Sequence, residues 1–446
     1  MEFVIVLDQP IGFRGRFGPL RPQILFLAFW MAGILLPLMP FIDETDGFSI
    51  FWGYSFRDKT QAIQSALLIY GSVLLLVFAG VSAGIAWSRV TVRTRRVRWR
   101  RGWSFERRAR LVIGVGLASI LVTIVLLGGV ENWLLAGSDR IRQFAGLNFI
   151  VMLQNSLLSV SLAWFIKIAS RHQPLSLLCH LRFIAFSVLA LMLVALQGAK
   201  STVFVYLLAM LIVWHVRVRQ LSFLRLALIG CLTFVLLMVY HVVKQEYLVV
   251  GEFVFYDQQE GFFASFSRML FQQLTGNLMQ LQCMAVLVDA IPNELSFQQG
   301  ETLKMVFLIW LPSLLFPDKP PTAPGVFTLA LWPEKWENEA TTMPPGLFGE
   351  FYLNFGWVGV AFGALIFGAV YGVAYGRAAR SGRDVPLGIY VMMAGVMLHY
   401  FRGELAAVTV LLLSMLVPLV WMLRGELRTD RRMVLKHATV IAAGKN

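Results

Sequence analysis

The amino-acid sequence predicts an all-α, polytopic membrane protein with about ten transmembrane helices. Hydrophobic residues occupy 58% of the 446 positions and charged residues only 14%, with a mean hydropathy of +0.69. Apolar stretches long enough to cross a bilayer recur along the chain. Arginines concentrate in short segments between these stretches, which is typical of cytoplasmic loops. A soluble protein of this length would need a charged surface that this composition does not supply.

The basic loops between the predicted spans alternate consistently, which places both termini in the cytoplasm of a multi-pass protein. The net charge of +14 lies mostly in arginine clusters beside the spans, above all within residues 88–110. We therefore ascribe it to membrane topology and anionic lipid rather than to nucleic acid. The predicted spans are residues 22–42, 62–87, 111–130, 146–167, 183–198, 202–217, 223–243, 356–376, 386–401 and 405–423.

The fifth and sixth predicted spans share one apolar stretch, residues 183–217. As a single helix this stretch would be about 52 Å long, against a hydrocarbon core of about 30 Å. A single crossing would also place the C-terminal arginines outside the cell. A tight helical hairpin is therefore predicted, with residues 197–201 at its outer tip.

The chain divides into three predicted regions. Residues 1–243 form an N-terminal bundle of about seven spans, and residues 356–446 form the C-terminal transmembrane helices and a basic cytoplasmic tail. Between them, residues 244–355 form a large acidic periplasmic loop. Its apolar segments 262–291 and 302–316 would raise the count to twelve spans if both crossed. Their connector contains no Lys or Arg, which favours re-entrant or interfacial helices.

No metal or cofactor signal is present in the sequence. The three cysteines, Cys179, Cys231 and Cys283, lie far apart, and no histidine stands at ligand spacing. There is no P-loop, GxSxG or HExxH motif, and no paired-aspartate motif for a metal-bound nucleotide sugar. If the protein is an enzyme, we expect it to use a lipid-carried donor and no cofactor.

Four isolated cations on the predicted external side break the positive-inside rule: Lys200, Arg268, Lys319 and Arg402. Together they would form a basic pocket suited to a lipid-linked phosphate or diphosphate, because Arg offers bidentate contacts and Lys a mobile charge. Alternatively each cation snorkels or pairs with a nearby carboxylate, such as Arg402 with Glu404 or Lys319 with Asp318. Arg140 and Arg142 also break the rule, and either contact phosphate or mark a helix end.

Two carboxyl groups are candidates for proton transfer near the predicted outer surface. Glu350 lies in a Gly- and Pro-rich segment, residues 343–356, just before the eighth span. It could act as a general base or hydrogen-bond a sugar, or be an ordinary interfacial acid paired with an arginine. Glu404 has the same two interpretations. Tyr352, Asn354 and His399 are further candidate substrate contacts, although Tyr352 also suits an interface anchor and His399 also suits packing between spans.

Several of these segments resemble the bacterial oligosaccharide repeat-unit polymerases, the Wzy-type O-antigen and enterobacterial common antigen polymerases. The resemblance is strongest over residues 311–320 and 344–359. It extends to the hairpin tip Gly198-Ala-Lys200, to Arg268 and to Arg402-Gly-Glu404. The family often has arginine where this chain has Lys200, and lysine keeps the charge but loses the bidentate fork.

The resemblance implies a glycosyltransferase of the type C membrane class in a bacterial inner membrane. Such an enzyme transfers a growing glycan from undecaprenyl diphosphate to a new lipid-linked repeat unit. Arg268 and Arg402, with Lys200 and Lys319 in support, would stabilise the diphosphate leaving group. Glu350 is the first candidate for the general base and Glu404 the second. A chain-length regulator and a flippase are expected partners, and membrane lipid surrounds the protein.

Three other functions are compatible with the sequence to different degrees. An O-antigen ligase would use the same donor but transfer the glycan to lipid A core. A lipid-linked oligosaccharide flippase or transporter is disfavoured, because the polar groups cluster outside rather than along a central path. A structural scaffold for polysaccharide export would not need the basic pocket.

Overall fold

A computed structural model describes residues 18, 20–35, 54–90, 104–136, 147–170, 176–196, 200–243, 261, 264–266, 279–309, 311, 316, 318–339 and 342–424. Helices are the regular elements throughout this part of the chain. They are α1 Pro22–Trp30, α2 Lys59–Val90, α3 Phe105–Leu126, α4 Val130–Ala136, α5 Asn148–Gln154, α6 Ser156–Ala169, α7 Leu177–Leu196, α8 Lys200–Val213, α9 Phe223–Val243, α10 Gln280–Ala290, α11 Glu301–Leu308, α12 Ala323–Leu331, α13 Pro333–Glu339, α14 Gly346–Ser381, α15 Asp384–Arg402 and α16 Leu405–Leu423.

Eight helical segments of the described chain are long and apolar enough to cross a membrane: Lys59–Val90, Phe105–Leu126, Phe149–Ala169, Leu177–Leu196, Ser201–Val218, Gly346–Ser381, Asp384–Arg402 and Leu405–Leu423. A polytopic helical membrane protein is therefore confirmed. Each of the eight overlaps a span predicted from the sequence. Of the other two predicted spans, 22–42 contains the shorter apolar helix Pro22–Ile34, and 223–243 coincides with α9, whose apolar part Leu224–Thr233 is too short to count among the eight.

The basic ends of several helices meet at one end of the bundle, around Asp384. The Asp384 carboxylate lies 3.3 Å from Lys167 Nζ and 3.0 Å from an Arg217 guanidinium nitrogen, and accepts a 2.9 Å hydrogen bond from the Ser170 hydroxyl. Arg380 beside it donates to the Ile85 carbonyl at the far end of α2. These helix ends therefore share one side of the bundle, as the alternation of basic loops predicts.

The predicted hairpin of residues 183–217 is two separate helices, α7 and α8. The Ser161 hydroxyl of α6 lies 2.5 Å from the Ser187 hydroxyl of α7 and 2.7 Å from the Tyr206 hydroxyl of α8. Because α6 and α8 both end beside Asp384, and α7 lies between them in sequence, α7 runs antiparallel to both. The tip, residues 197–199, lies outside the described residues.

Helices α2 and α14 form the largest helix–helix interface in the described chain. Their contact is lined with glycines on both sides: Gly80 and Gly84 on α2, and Gly368, Gly372 and Gly376 on α14. A Cβ atom on Gly84 would overlap the Ala369 carbonyl, and one on Gly372 would overlap the Val81 carbonyl. The two backbones are therefore in direct contact, as is typical of small-residue packing in membranes.

Helix α14 is broken at Gly356, whose φ of 60° and ψ of −144° are not helical. The break separates a short helix, residues 346–355, from the long span 357–381, so the span begins where the sequence predicts. The short helix folds back on the long one, because Gly359 and Gly363 contact the backbone and ring of Phe351. Without Gly356, the short helix would continue straight on from the span.

Helix α10 packs beside the Lys59 end of α2. Asp289 accepts a 3.0 Å hydrogen bond from the Tyr54 hydroxyl and a 3.2 Å bond from the Arg57 backbone N–H. At the other end of α10, the Gln280 carbonyl accepts a 3.2 Å hydrogen bond from the Tyr70 hydroxyl of α2. Helices α10 and α11 have 11 and 8 residues, so each is too short to cross a core of about 30 Å.

We expect Gly84→Ala to destabilise the protein by about 1–3 kcal/mol, because the added methyl must push α14 away. Gly71→Ala is the matched control on the same helix, since nothing lies within 4 Å of its position. Alanine is the better helix former there, so this control should be neutral or stabilising. Thermal unfolding of the two variants in detergent tests the interface, and equal melting temperatures would contradict it.

Candidate functional site

The predicted site residues that the structure brings together surround the turn between α15 and α16, Arg402-Gly403-Glu404. Helix α15 runs 19 residues from Asp384 to Arg402, about 27 Å along its axis. The turn therefore lies near the opposite end of the bundle from Asp384 and the basic helix ends. Given a hydrocarbon core of about 30 Å, this position is close to the membrane–water boundary.

Glu350 is fully buried at the centre of this region, and both of its carboxyl oxygens accept hydrogen bonds. One oxygen accepts from the Leu405 backbone N–H at 2.7 Å, and the other from the Thr302 hydroxyl at 3.2 Å. The Leu405 N–H belongs to the first turn of α16, where helix N–H groups lack partners within the helix. Glu350 thus joins the short helix of α14 to the starts of α11 and α16.

Asn354, one turn after Glu350, completes this connection. Its side-chain amide donates to the Thr302 hydroxyl at 2.7 Å and to the Glu350 carbonyl at 2.8 Å, and its side-chain oxygen accepts from the Gly300 N–H at 2.8 Å. All of its hydrogen-bonding groups are therefore used within the protein. Asn354, which the sequence predicts as a substrate contact, thus holds the start of α11 against α14.

Glu404 differs from Glu350 in having an oxygen without a partner. The Ala323 backbone N–H at the start of α12 donates to its carboxyl group, whereas its Oε2 has no hydrogen bond. Burial and then the nearby Glu350 carboxyl raise the pKa of Glu404 to about 8, because both disfavour the charged form. These surroundings therefore favour the protonated form of its carboxyl group.

Arg402 ends α15 beside Glu404, yet the two side chains form no ion pair. Its partly buried guanidinium makes no hydrogen bond with any residue that the structure describes. His399, one turn earlier, is close enough for electrostatic interaction with Arg402, and its Nδ1 has no hydrogen-bond partner. The hydrogen-bond donors of Arg402 are therefore unused within the described part of the chain.

The remaining predicted site residues have different outcomes. The Lys319 ammonium donates to the Leu311 carbonyl, and burial lowers its pKa. Helix α8 begins at Lys200, although the position of that side chain is outside what the structure describes. Tyr352 is buried, with its ring 6.3 Å from that of Phe297. Arg140, Arg142 and Arg268 lie outside the described residues, so the four-cation pocket remains a prediction.

Gln280 is a polar residue at this site that the sequence analysis did not single out. Its side chain is fully buried, and neither amide atom has a hydrogen-bond partner. It occurs in an apolar stretch with three further glutamines nearby, Gln272, Gln273 and Gln282, so nothing in the local sequence distinguishes it. Only the folded chain places it beside Gly346 and the Phe401 carbonyl.

An apolar groove of about 630 Å³ lies against the polar residues of the site. It is bounded by the long span of α14 on one side and by the starts of α11 and α16 on the other, with Leu303 and Leu405 in its lining. Both lining residues adjoin the Glu350 network, since Leu303 follows Thr302 and Leu405 donates to Glu350. Val358, Phe362 and Ile366 line the groove and are more than 60% exposed, so it opens toward lipid.

No protein-family model matches the chain, and no curated protein or solved structure is significantly similar to it. The resemblance to repeat-unit polymerases is therefore carried by the motif residues themselves. Two of these motifs, residues 344–359 and 402–404, are adjacent in the fold through the hydrogen bond from Leu405 to Glu350.

The pKa of Glu404 predicts how stability changes with pH. The folded pKa of about 8 lies above the usual value of about 4.3, so the folded state binds the proton more tightly. Stability from this group is therefore full below about pH 4 and is lost as the pH rises toward 8. We expect the melting temperature of the wild type, relative to Glu404→Gln, to fall between pH 5 and pH 8.5. A constant difference would contradict this assignment.

Proposed function

We propose that the protein is a polymerase of polyprenyl-diphosphate-linked oligosaccharide repeat units. The observation that carries this proposal is the Arg402 guanidinium, which has no partner in the described chain. Arg402 and Glu404 share one turn, and the next residue, Leu405, lines a lipid-facing apolar groove. A diphosphate linked to a polyprenyl chain has the matching parts: an anion for Arg402 and an apolar tail for the groove.

The reaction requires a leaving group and a proton acceptor at this site. The acceptor hydroxyl oxygen forms a bond to the anomeric carbon of the donor glycan while the bond from that carbon to the diphosphate oxygen breaks. The electron pair of the broken bond stays on the lipid diphosphate, and Arg402 stabilises this growing negative charge. The proton of the acceptor hydroxyl passes to a carboxylate.

Glu404 rather than Glu350 suits the role of proton acceptor. Both oxygens of Glu350 accept hydrogen bonds within the protein, and its side chain is fully buried. Glu404 has an unpartnered oxygen and a pKa of about 8, close to physiological pH, which favours efficient proton transfer. This reverses the order that the sequence analysis gave the two groups, and makes Glu350 a positioning residue.

The wider setting of the proposal is a bacterial inner membrane. Arginine-rich termini and loops would lie in the cytoplasm and the Arg402 turn would face the periplasm, where lipid-linked repeat units are polymerised in the family that the motifs resemble. The type C glycosyltransferase fold, the undecaprenyl carrier, and association with a flippase and a chain-length regulator belong to the same proposal.

Purified protein in detergent or liposomes, supplied with undecaprenyl-diphosphate-linked repeat units, provides the direct test. A polymerase converts them to longer lipid-linked chains without other components, which a gel resolves as a ladder. An O-antigen ligase would extend no chain but would transfer the glycan when lipid A core is added. Failure to lengthen any lipid-linked repeat from the organism that encodes this chain would reject the proposal.

Arg402→Ala should lower the polymerisation rate by about 100-fold or more, because the diphosphate leaving group loses its charged donor. Arg402→Lys should recover part of this loss, since lysine keeps the charge but not the bidentate geometry. The matched control is Arg57→Ala, which removes a cation that already pairs with Glu294 at 3.4 Å and should leave the rate near that of the wild type. Equal rates for Arg402→Ala and the control would exclude Arg402 from the reaction.

The rate constant kcat should rise between pH 6.5 and pH 9 with a midpoint near the Glu404 pKa of about 8, because only the ionised carboxylate accepts the proton. Glu404→Gln should lose at least about 100-fold in kcat and this pH dependence. Glu350→Gln should instead lower the melting temperature, since an amide cannot accept at both positions. A stable, inactive Glu350→Gln together with an active Glu404→Gln would restore Glu350 as the base.

A further inference from the structure

Gln280 is the first residue of α10, and its backbone is fixed near the α15–α16 turn. Its carbonyl accepts the hydrogen bond from the buried Tyr70 hydroxyl. The Tyr70 ring in turn lies 5.7 Å from the ring of Phe401, the residue before Arg402. The start of α10 is therefore held beside the end of α15 by packing that does not involve the Gln280 side chain.

The Gln280 side chain points toward the start of the short helix of α14. Its Cγ would lie 3.3 Å from a Cβ atom placed on Gly346, a position that also contacts the Phe401 carbonyl oxygen. Gly346 has no side chain and a φ of 73°, so the backbone passes close to both. The Gln280 side chain is thus packed against the start of the short helix, close to the backbone that leads into Arg402.

The amide of Gln280 has no protein partner in the described chain for either its nitrogen or its oxygen, although the side chain is fully buried. Buried amides are nearly always hydrogen-bonded, because burial without a partner costs free energy. Folding therefore gains nothing from this carboxamide, and an apolar residue of the same size would fit the packing better. A group that the fold does not use is a candidate for use by a ligand.

We propose that the Gln280 carboxamide binds a hydroxyl-bearing sugar of the lipid-linked substrate, next to the diphosphate held by Arg402. The inference rests on the proposed function and adds a specificity-determining residue to it. An amide suits a sugar hydroxyl because it donates through nitrogen and accepts through oxygen, as the hydroxyl also does. Access to the amide requires movement of the short helix, which has a glycine of positive φ at each end, Gly346 and Gly356.

The test is Gln280→Met, which keeps the length and approximate volume of the side chain but removes both hydrogen-bonding groups. A hydrogen bond present in both the ground state and the transition state affects KM rather than kcat. We expect KM for the lipid-linked repeat unit to rise about tenfold or more, with little change in kcat. The melting temperature should equal or exceed that of the wild type, because the unpartnered amide is gone.

Gln282→Met is the matched control on the same helix. Gln282 is also buried, but it lies two residues further along α10, about 200° around the helix axis. The Gln282→Met substitution should therefore leave KM unchanged. If Gln280→Met does not fold, Gln280→Asn retains the amide at a shorter reach and should raise KM by a smaller factor.

The outcomes separate this inference from the proposed function. If the wild type lengthens repeat units but Gln280→Met keeps the wild-type KM, the amide does not bind substrate and the polymerase proposal stands. A lower melting temperature with unchanged KM would show that the amide has a structural role. If the wild type neither lengthens nor binds lipid-linked oligosaccharide, the proposed function and the Gln280 assignment both fail.

Discussion

The hydrogen bond from the Leu405 N–H to Glu350 holds the site in one piece. It spans 2.7 Å and connects the short helix of α14 to the first turn of α16, while the same carboxyl group accepts from Thr302 of α11. Three segments that are far apart in sequence therefore meet at one buried group. The orientation of Arg402 and Glu404 follows from this junction, because both precede Leu405 in the same tight turn.

Much of the fold is predictable from the sequence because bilayer thickness limits helix length. Periodic apolar stretches and arginine-rich loops were sufficient to predict the eight spanning segments that the structure describes, the division of residues 183–217 into two helices, and the start of a span at Gly356. The basic helix ends gather around Asp384 for the same reason. Charged residues are excluded from the hydrocarbon core, so the charged helix ends that face the same side of the membrane lie at the same level.

The site was less predictable, because its chemistry depends on which hydrogen bonds are already satisfied. The sequence marked Glu350, Glu404 and Arg402 as unusual polar residues near a membrane surface, and the fold brings them together. The sequence could not show that both carboxyl oxygens of Glu350 accept hydrogen bonds within the protein, or that one carboxyl oxygen of Glu404 has no partner. Gln280 could not be identified from the sequence, because its amide loses hydrogen-bond partners only when the folded core buries it. A glutamine in an apolar segment ordinarily has a partner.

The glycine-lined contact between α2 and α14 also constrains how the protein can change shape. Where two backbones touch, neither a lipid tail nor a detergent chain can enter, and sliding would bring side chains into collision with carbonyl groups. These two helices should therefore move as one body. Any change of shape near Arg402 should therefore come from the segments packed around this helix pair, such as the short helix of α14, and not from the pair itself.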